Sequence, residues 1–427
     1  MQEVDCSLSG TAQVTPAAEL YAQREKRLLD AIELRQPDRL PTILFSHFWV
    51  ARYAGMSFRD AMYDYEGLAA AMRKAVTELQ PDGFHPVHPM IAIGPAMEIL
   101  DYKQLEWPGH NGLSENVPFQ YLDRQYMEVA EYDEYLLDPT GFVLHKYLPR
   151  VAGAFEPLAQ LPSYPTTLHT RIVQSMEAYA RPEVRGALEK LIKAGEEVQK
   201  MRGTLSRLNQ QLKELGFPCM NHGTSHAPFD VASDYLRGSK GAMLDLFRNK
   251  DRLVAVMDRL VAMLPKTAIA TAQATGGNML FIPLHWGLDG FMSPKQFSTF
   301  YWPQFQKVLL ALIEAGLYPH VLWEGDCTSR LDVIKDIPKG KCVYFFERTD
   351  MFKAKQALRD QVCIRGNVPA SMLIAGTPNE VREHCKKLFD VVGDGGGFIL
   401  DAGVGVPDEA KPENVLAMFQ CAKECVY

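Results

Sequence analysis

Short apolar runs recur along this 427-residue chain, each followed by a stretch with helical periodicity, and this alternation constrains the fold more than any other feature. The runs are 40–45 (LPTILF), 82–87 (DGFHPV), 217–222 (FPCMNH), 278–283 (NMLFIP), 318–323 (YPHVLW), 341–346 (KCVYFF), 362–366 (VCIRG) and 397–400 (GFIL). Each is bounded by turn-forming residues and has the length of a buried strand. Between them lie helical patterns such as 296–315 and 379–392. Strands that alternate with helices pair in parallel, and about eight such units close into a (β/α)8 TIM barrel. An open doubly wound sheet is the competing arrangement, but no GxGxxG follows the first run.

The plain barrel pattern is interrupted twice. Residues 95–165 are rich in Tyr, Pro and acidic residues and read as an elaborated βα connection over the mouth. Residues 184–215 carry Leu191, Ala194, Val198, Met201, Leu205, Leu208, Leu212 and Leu215 in alternating steps of three and four, a heptad seam with charges between. That seam either lies on the barrel or forms an arm for a homodimer; Gly195 and Gly203 lower its helix propensity and favour the supported position. The expected organisation is an N-terminal extension over 1–34 and a barrel over 35–427, with a helical insertion at about 170–216.

Composition narrows the function class. With 47% hydrophobic residues the chain can bury a large core, and its net charge of −7, without basic runs, argues against nucleic acid. No apolar run approaches the roughly 20 residues of a membrane span. The start is polar rather than signal-like, and the cysteines are scattered without a CxxC pair, so a cytoplasmic enzyme with reduced thiols is expected.

Parallel barrels place function where strands finish. After the first run come His47 and Arg52; after the second, His85 and His88; after the third, His222 and His226; and after the fourth, His285. The later runs deliver Glu324, Asp326 and Cys327, then Glu347, Arg348 and Asp350, then Arg365 and Asn367, and finally Asp401. A lone histidine is more often a hydrogen-bonded core residue than a ligand. Glu324, by contrast, closes a hydrophobic strand, where a carboxylate must be paired, protonated or metal-bound. Glu347–Arg348 reads equally as an ion pair, Asp401 as a cap, and Arg365 as a clamp for a substrate carboxylate. His285, Glu324, Asp326 and Cys327 are the residue types that hold zinc, although none of their spacings is diagnostic. Phe291, Tyr301 and Trp302 stand either in the core or along the wall of an aromatic-binding pocket.

The segment 395–414 (GGGFILDAGVGVPDEAKPEN) combines a glycine cluster, a short strand, a glycine-rich turn and a helix start. It resembles the closing strand and loop of the uroporphyrinogen decarboxylase superfamily, which includes corrinoid-dependent methyltransferases. Segments 36–41 (QPDRLP), 97–109 (MEILDYKQLEWPG), 133–140 (DEYLLDPT), 293–297 (SPKQF) with Phe300 and Pro303, and 366–369 (GNVP) with 376–378 (GTP) resemble it in the same order.

The resemblance implies a (β/α)8 barrel with its site in the mouth, and the departures choose the branch. The arginine-rich segment that binds acidic tetrapyrroles is replaced by 49–55 (WVARYAG), which keeps only Arg52. The aspartate after the second strand has no counterpart in 84–88 (FHPVH), and the histidine of the last loop is Val404. The zinc set of thiol-methylating members falls on Trp323, Gly325 and Val404. The implied activity is therefore transfer of a methyl group from a small, methoxylated donor to a corrinoid (cobalamin) carried by a partner protein, with a carboxy-lyase or a tetrapyrrole-binding barrel as the alternatives. In that chemistry Glu324, Asp326, His285 and Glu347 are the expected catalytic groups. His47, Arg52, His222, His226, Arg348, Arg365, Asn367 and Asp401 are the expected substrate contacts, and any zinc falls to His285, Glu324, Asp326 or Cys327.

Overall fold

The computed structural model describes residues 16–427, so the expected N-terminal extension lies partly outside the described residues; its described part is the helix Ala17–Ile32. Strand β1 (Ile43–Leu44) pairs in parallel with β2 (Gly83–Phe84). A short antiparallel pair, β3 (Leu105–Glu106) and β4 (Gln120–Tyr121), lies in the segment expected to cover the mouth. Strands β5 (Met279–Leu284), β6 (Tyr318–Trp323), β7 (Val343–Phe346), β8 (Cys363–Arg365) and β9 (Phe398–Ile399) form one parallel sheet in sequential order. The α/β class follows.

The regular ladders stop short of a closed ring, and single parallel bridges stand in the gaps. Thr42 bridges Leu400, Phe84 bridges Cys219, and Thr224 bridges Phe281. The third apolar run is the one that forms no regular strand. Pro218 has no N–H to donate, and the Asn221 side chain accepts the Gly223 N–H at 3.0 Å, turning the chain where a ladder would continue. The run consequently extends past its expected end at His222 to Thr224.

Side chains fill the space between the strands in layers. Leu28 and Ile32 of the first helix pack with Ile43, Met279, Val343, Cys363 and Ile399 across the strand beginnings. That helix is pinned there by Arg27, which meets the fully buried Asp82 at 2.6 Å, while Arg39 reaches the same carboxylate at 2.7 Å. Nearer the strand ends, Phe45, Phe281, Leu322 and Phe345 form a second apolar layer, each side chain contributing about 1.5–3 kcal/mol by burial. The first layer fills the interior at the strand beginnings, and a cavity lies at the carboxyl ends.

The heptad stretch is a 33-residue helix, Pro182–Glu214. Ala194, Leu208 and Leu212 are buried, and the helix lies against the helices Gly94–Leu100 and Tyr65–Leu79 of the same chain. Its apolar stripe is thus covered internally, and a homodimer through this helix would have to use the outer face around Ile192, 63% exposed. Among the described residues no helix is long and apolar enough to cross a membrane.

The glycine-rich closing loop is sterically committed. Gly405 has φ +89°, and a Cβ there would stand 2.8 Å from the Phe45 carbonyl oxygen, whereas Gly55, at φ +80°, has open space around it. Gly405→Ala is expected to cost about 1–3 kcal/mol by denaturant unfolding, and more than Gly55→Ala, which carries backbone strain alone.

Candidate active site

The best-formed site begins at the helical segment after the third run. Pro228 starts a helix, Pro228–Val231, that continues as a π-helical turn over Ala232–Arg237. Asp230 and Asp234 both face the end of β5. Asp230, 1% exposed, accepts the backbone N–H of His285 at 3.0 Å, that of Trp286 at 3.3 Å, and the Tyr301 hydroxyl at 2.8 Å. Asp234 faces His285 Nδ1 at 2.5 Å and accepts the indole N–H of Trp286. Widened helical turns free carbonyls and recur at functional sites; here the Asp234 carbonyl is taken by the Tyr121 hydroxyl.

Two buried carboxylates demand a cation, and His285 provides it. Burial pulls its pKa down, but the hydrogen bond to Asp234 and the charges of Glu324, Asp234 and Asp230 lift it to about 10. Nδ1 is engaged by Asp234, so Nε2 points to Glu324 Oε1, 3.9 Å away. The Glu324 carboxyl is raised to about 7 by burial, with His285 opposing and Glu347 and Asp234 adding to the rise. Asp230 is likewise raised to about 7, chiefly by burial. At neutral pH the arrangement is an imidazolium facing a carboxyl group poised to gain or lose a proton.

A cavity of about 430 Å3 opens in front of this pair. His47, His88, His226, Phe119, Asn221 and Thr224 line it together with His285 and Glu324. Burial lowers His47 and His226 to about 4, and His88 falls well below the ordinary range through burial and the neighbouring His47. His47 and His88 pack with ring centroids 4.4 Å apart and planes tilted by 59°. These imidazoles are neutral hydrogen-bonding groups rather than charges. Among the described residues, neither this cavity nor the one adjoining it behind Glu324 is lined by lysine or arginine.

Several residues expected at the site point elsewhere. Arg365 is fully buried and donates to Asp401 Oδ2 at 2.6 and 2.8 Å, with His85 Nε2 3.0 Å from its third nitrogen. It braces the interior, because a guanidinium inside a barrel must be paired there; Asp401, raised to about 6 by burial against the pull of Arg365, is its partner. Asp326 is exposed and accepts from the backbone and hydroxyl of Thr328. Glu347 accepts the Gly325 N–H at 2.5 Å and pairs loosely with the exposed Arg348 at 3.8 Å. Asn367 donates to the Thr349 carbonyl, Arg52 is exposed, and His222 lies toward the strand beginnings beside Met279. Tyr301 and Trp302 are buried in the core, while Phe291 packs on Trp286 at 4.5 Å.

The residue types that suit zinc do not converge. Cys327 is buried with its thiol pushed up by burial and directed at the Glu324 carbonyl, and Asp326 is turned to Thr328. Among the described residues no three His, Cys, Asp or Glu side chains form a metal-holding group. The donor set does not fit a metal.

Asp230 and Asp234, together with Tyr235 and Asp408 in the cavity lining, are site residues that sequence reasoning missed. A signal was present: two acids one helical turn apart directly after Pro228, in an otherwise apolar helix start. Because Arg365 and Asp401 are mutually satisfied in the interior, Arg365→Met is expected to cost about 3–5 kcal/mol of stability in denaturant unfolding, rather than acting selectively on substrate affinity.

Comparison with known proteins places the chain. Residues 170–425 match the family described as "Uroporphyrinogen decarboxylase (URO-D)". Uroporphyrinogen decarboxylase of Cellvibrio japonicus is 26% identical over 212 residues, 47% of this chain and 58% of that protein. That of Chlorobaculum parvum is 23% identical over 274 residues, 60% of this chain and 75% of the other. The chain thus spans under three-fifths of the Cellvibrio relative's length. Among solved structures, a methyltransferase from Methanosarcina mazei shares the fold with a TM-score of 0.59 at 17% identity, over 94% of this chain and 98% of that one. With the family matched over more than half its length, this chain belongs to the uroporphyrinogen decarboxylase family.

Proposed function

We propose that the chain is a methyltransferase of this family that moves a methyl group from a small uncharged donor to a corrinoid carried by a partner protein. In this reading the strands form a closed (β/α)8 ring with the stretch 217–225 in third place, in keeping with the bridges at Cys219 and Thr224. The observation that carries the function is the Glu324 carboxyl, raised to about 7 and facing the His285 imidazolium in a cavity lined by neutral groups. The likeness to the Methanosarcina mazei methyltransferase agrees with it at the level of fold.

The chemistry follows from the charges. A methyl group leaves an ether or alcohol oxygen readily only if that oxygen is protonated as the bond breaks. Glu324 donates a hydrogen bond to the oxygen and transfers its proton as the methyl departs, so the leaving group exits neutral. The carboxylate left behind then faces the His285 cation at 3.9 Å, worth about 4 kcal/mol of attraction at an effective dielectric of 20. Asp234 keeps the imidazolium charged and oriented throughout. The corrinoid, when bound, supplies the nucleophile that accepts the methyl group. The neutral imidazoles of His47 and His88 with Phe119 make an uncharged aromatic rim that suits such a macrocycle and keeps water out. The carboxy-lyase reading fits less well, because a polycarboxylated tetrapyrrole calls for several cations and His285 is the one cationic side chain lining this cavity among the described residues.

Anaerobic absorbance spectroscopy of cob(I)alamin with a panel of methyl ethers and methanol tests the proposal directly. Conversion to methylcob(III)alamin is expected, with kcat lowered about 10²–10⁴-fold in Glu324→Gln. The acid form of Glu324 is the active one, so the rate is expected to fall as pH rises through about 7. Carbon dioxide release from uroporphyrinogen, with no methyl transfer from any donor, would overturn the reading.

A further inference from the structure

Behind His285 and Glu324 lies a second cavity of about 710 Å3, well within the size range of small-ligand sites. The two cavities share Met90, Tyr235, His285 and Glu324, so the proton-donating pair stands at their junction. The walls of the second are apolar: Met90, Ile93, Met97, Leu100 and Leu105 from residues 90–105, and Val198 from the long helix Pro182–Glu214.

Its polar groups are gathered at one end and largely spoken for. Asp234 is engaged by the His285 and Trp286 side chains, Tyr102 donates to Gln104, and Tyr121 donates to the Asp234 carbonyl. Among the described residues Glu324, His285 Nε2 opposite it and the Tyr235 hydroxyl remain to meet a ligand. His285 is already paired with Asp234 at 2.5 Å and no lysine or arginine lines the chamber among the described residues, so an anionic ligand finds no unpaired cation there, and a cationic one faces the His285 charge.

We infer that this chamber binds the apolar body of an uncharged ligand whose hydrogen-bond-accepting end reaches Glu324. This rests on the methyltransferase reading only for the identity of the ligand as donor; binding itself is independent of it. It also gives the long helix a local role: Val198 closes the roof of the chamber.

The test is equilibrium dialysis of the full chain, without corrinoid, against 2-methoxynaphthalene and against naphthyl compounds carrying a carboxylate or a trimethylammonium group in place of the ether. The neutral probe is expected to bind, and each charged one at least about tenfold more weakly. Ala96→Phe and Val198→Trp fill the chamber and are each expected to weaken binding of the neutral probe at least about tenfold with the thermal midpoint retained. Should Ala96→Phe fail to fold, Val198→Trp, on the half-buried side of a surface helix, carries the comparison alone. Equal binding of the charged probes, or unchanged binding in a folded filled variant, overturns the inference. The parallel assay is methyl transfer from methanol, too small to need the chamber. Methanol turnover with no naphthyl binding would sink the chamber and leave the methyltransferase reading standing. Naphthyl ether binding without methyl transfer from any donor would support the chamber and sink the other.

Discussion

Two carboxylates one helical turn apart, Asp230 and Asp234, hold the end of β5, and the candidate site depends on that arrangement. Asp230 fixes the backbone of His285 and Trp286, and Asp234 fixes their side chains. Neither acid is more than 5% exposed, so water does little to screen them, and the neighbouring imidazole is forced to carry the compensating charge. The same charge is then available to Glu324. Geometry and electrostatics come from one constraint, which is why His285 is both rigid and cationic while the other histidines of the cavity are neutral.

The contrast with Arg365 shows how the interior separates structure from chemistry. Arg365 and Asp401 satisfy each other below the cavity floor, beside the Phe45 and Phe345 rings, and present little to a substrate. With no lysine or arginine lining it among the described residues, the cavity is dominated by one imidazolium and one carboxyl group raised to about 7.

Much of the scaffold was legible because its signals are local. The apolar runs that became β1, β2 and β5–β9 are bounded by turn residues, and the heptad stripe from Leu191 to Leu215 marked the long helix. The run at 217–222 was less so: the Asn221 side chain takes the Gly223 N–H in a short-range turn that counting apolar residues does not see, and His222 lies away from the cavity while His226 stays in it. Glu324 and His285 stood out as ionisable groups closing hydrophobic strands. Asp326 and Glu347 carried the same signal, yet one oxygen of each is held by Thr328 or by the Gly325 N–H. Strand-end position says that a residue is near the mouth, not which way it faces. Asp230 and Asp234 lie beyond a strand, on a helix, where that rule does not look.

The central claim is the charge state of one ring. Nitrogen-15 NMR of histidine-labelled protein, with the His285 resonances assigned by His285→Asn, reads it directly. The account expects both ring nitrogens of His285 to stay protonated from neutral pH until the pH approaches about 10, and to lose that character early in Asp234→Asn. A His285 ring that is already neutral at pH 7, titrating like a free imidazole near the usual value of about 6.5, would contradict it.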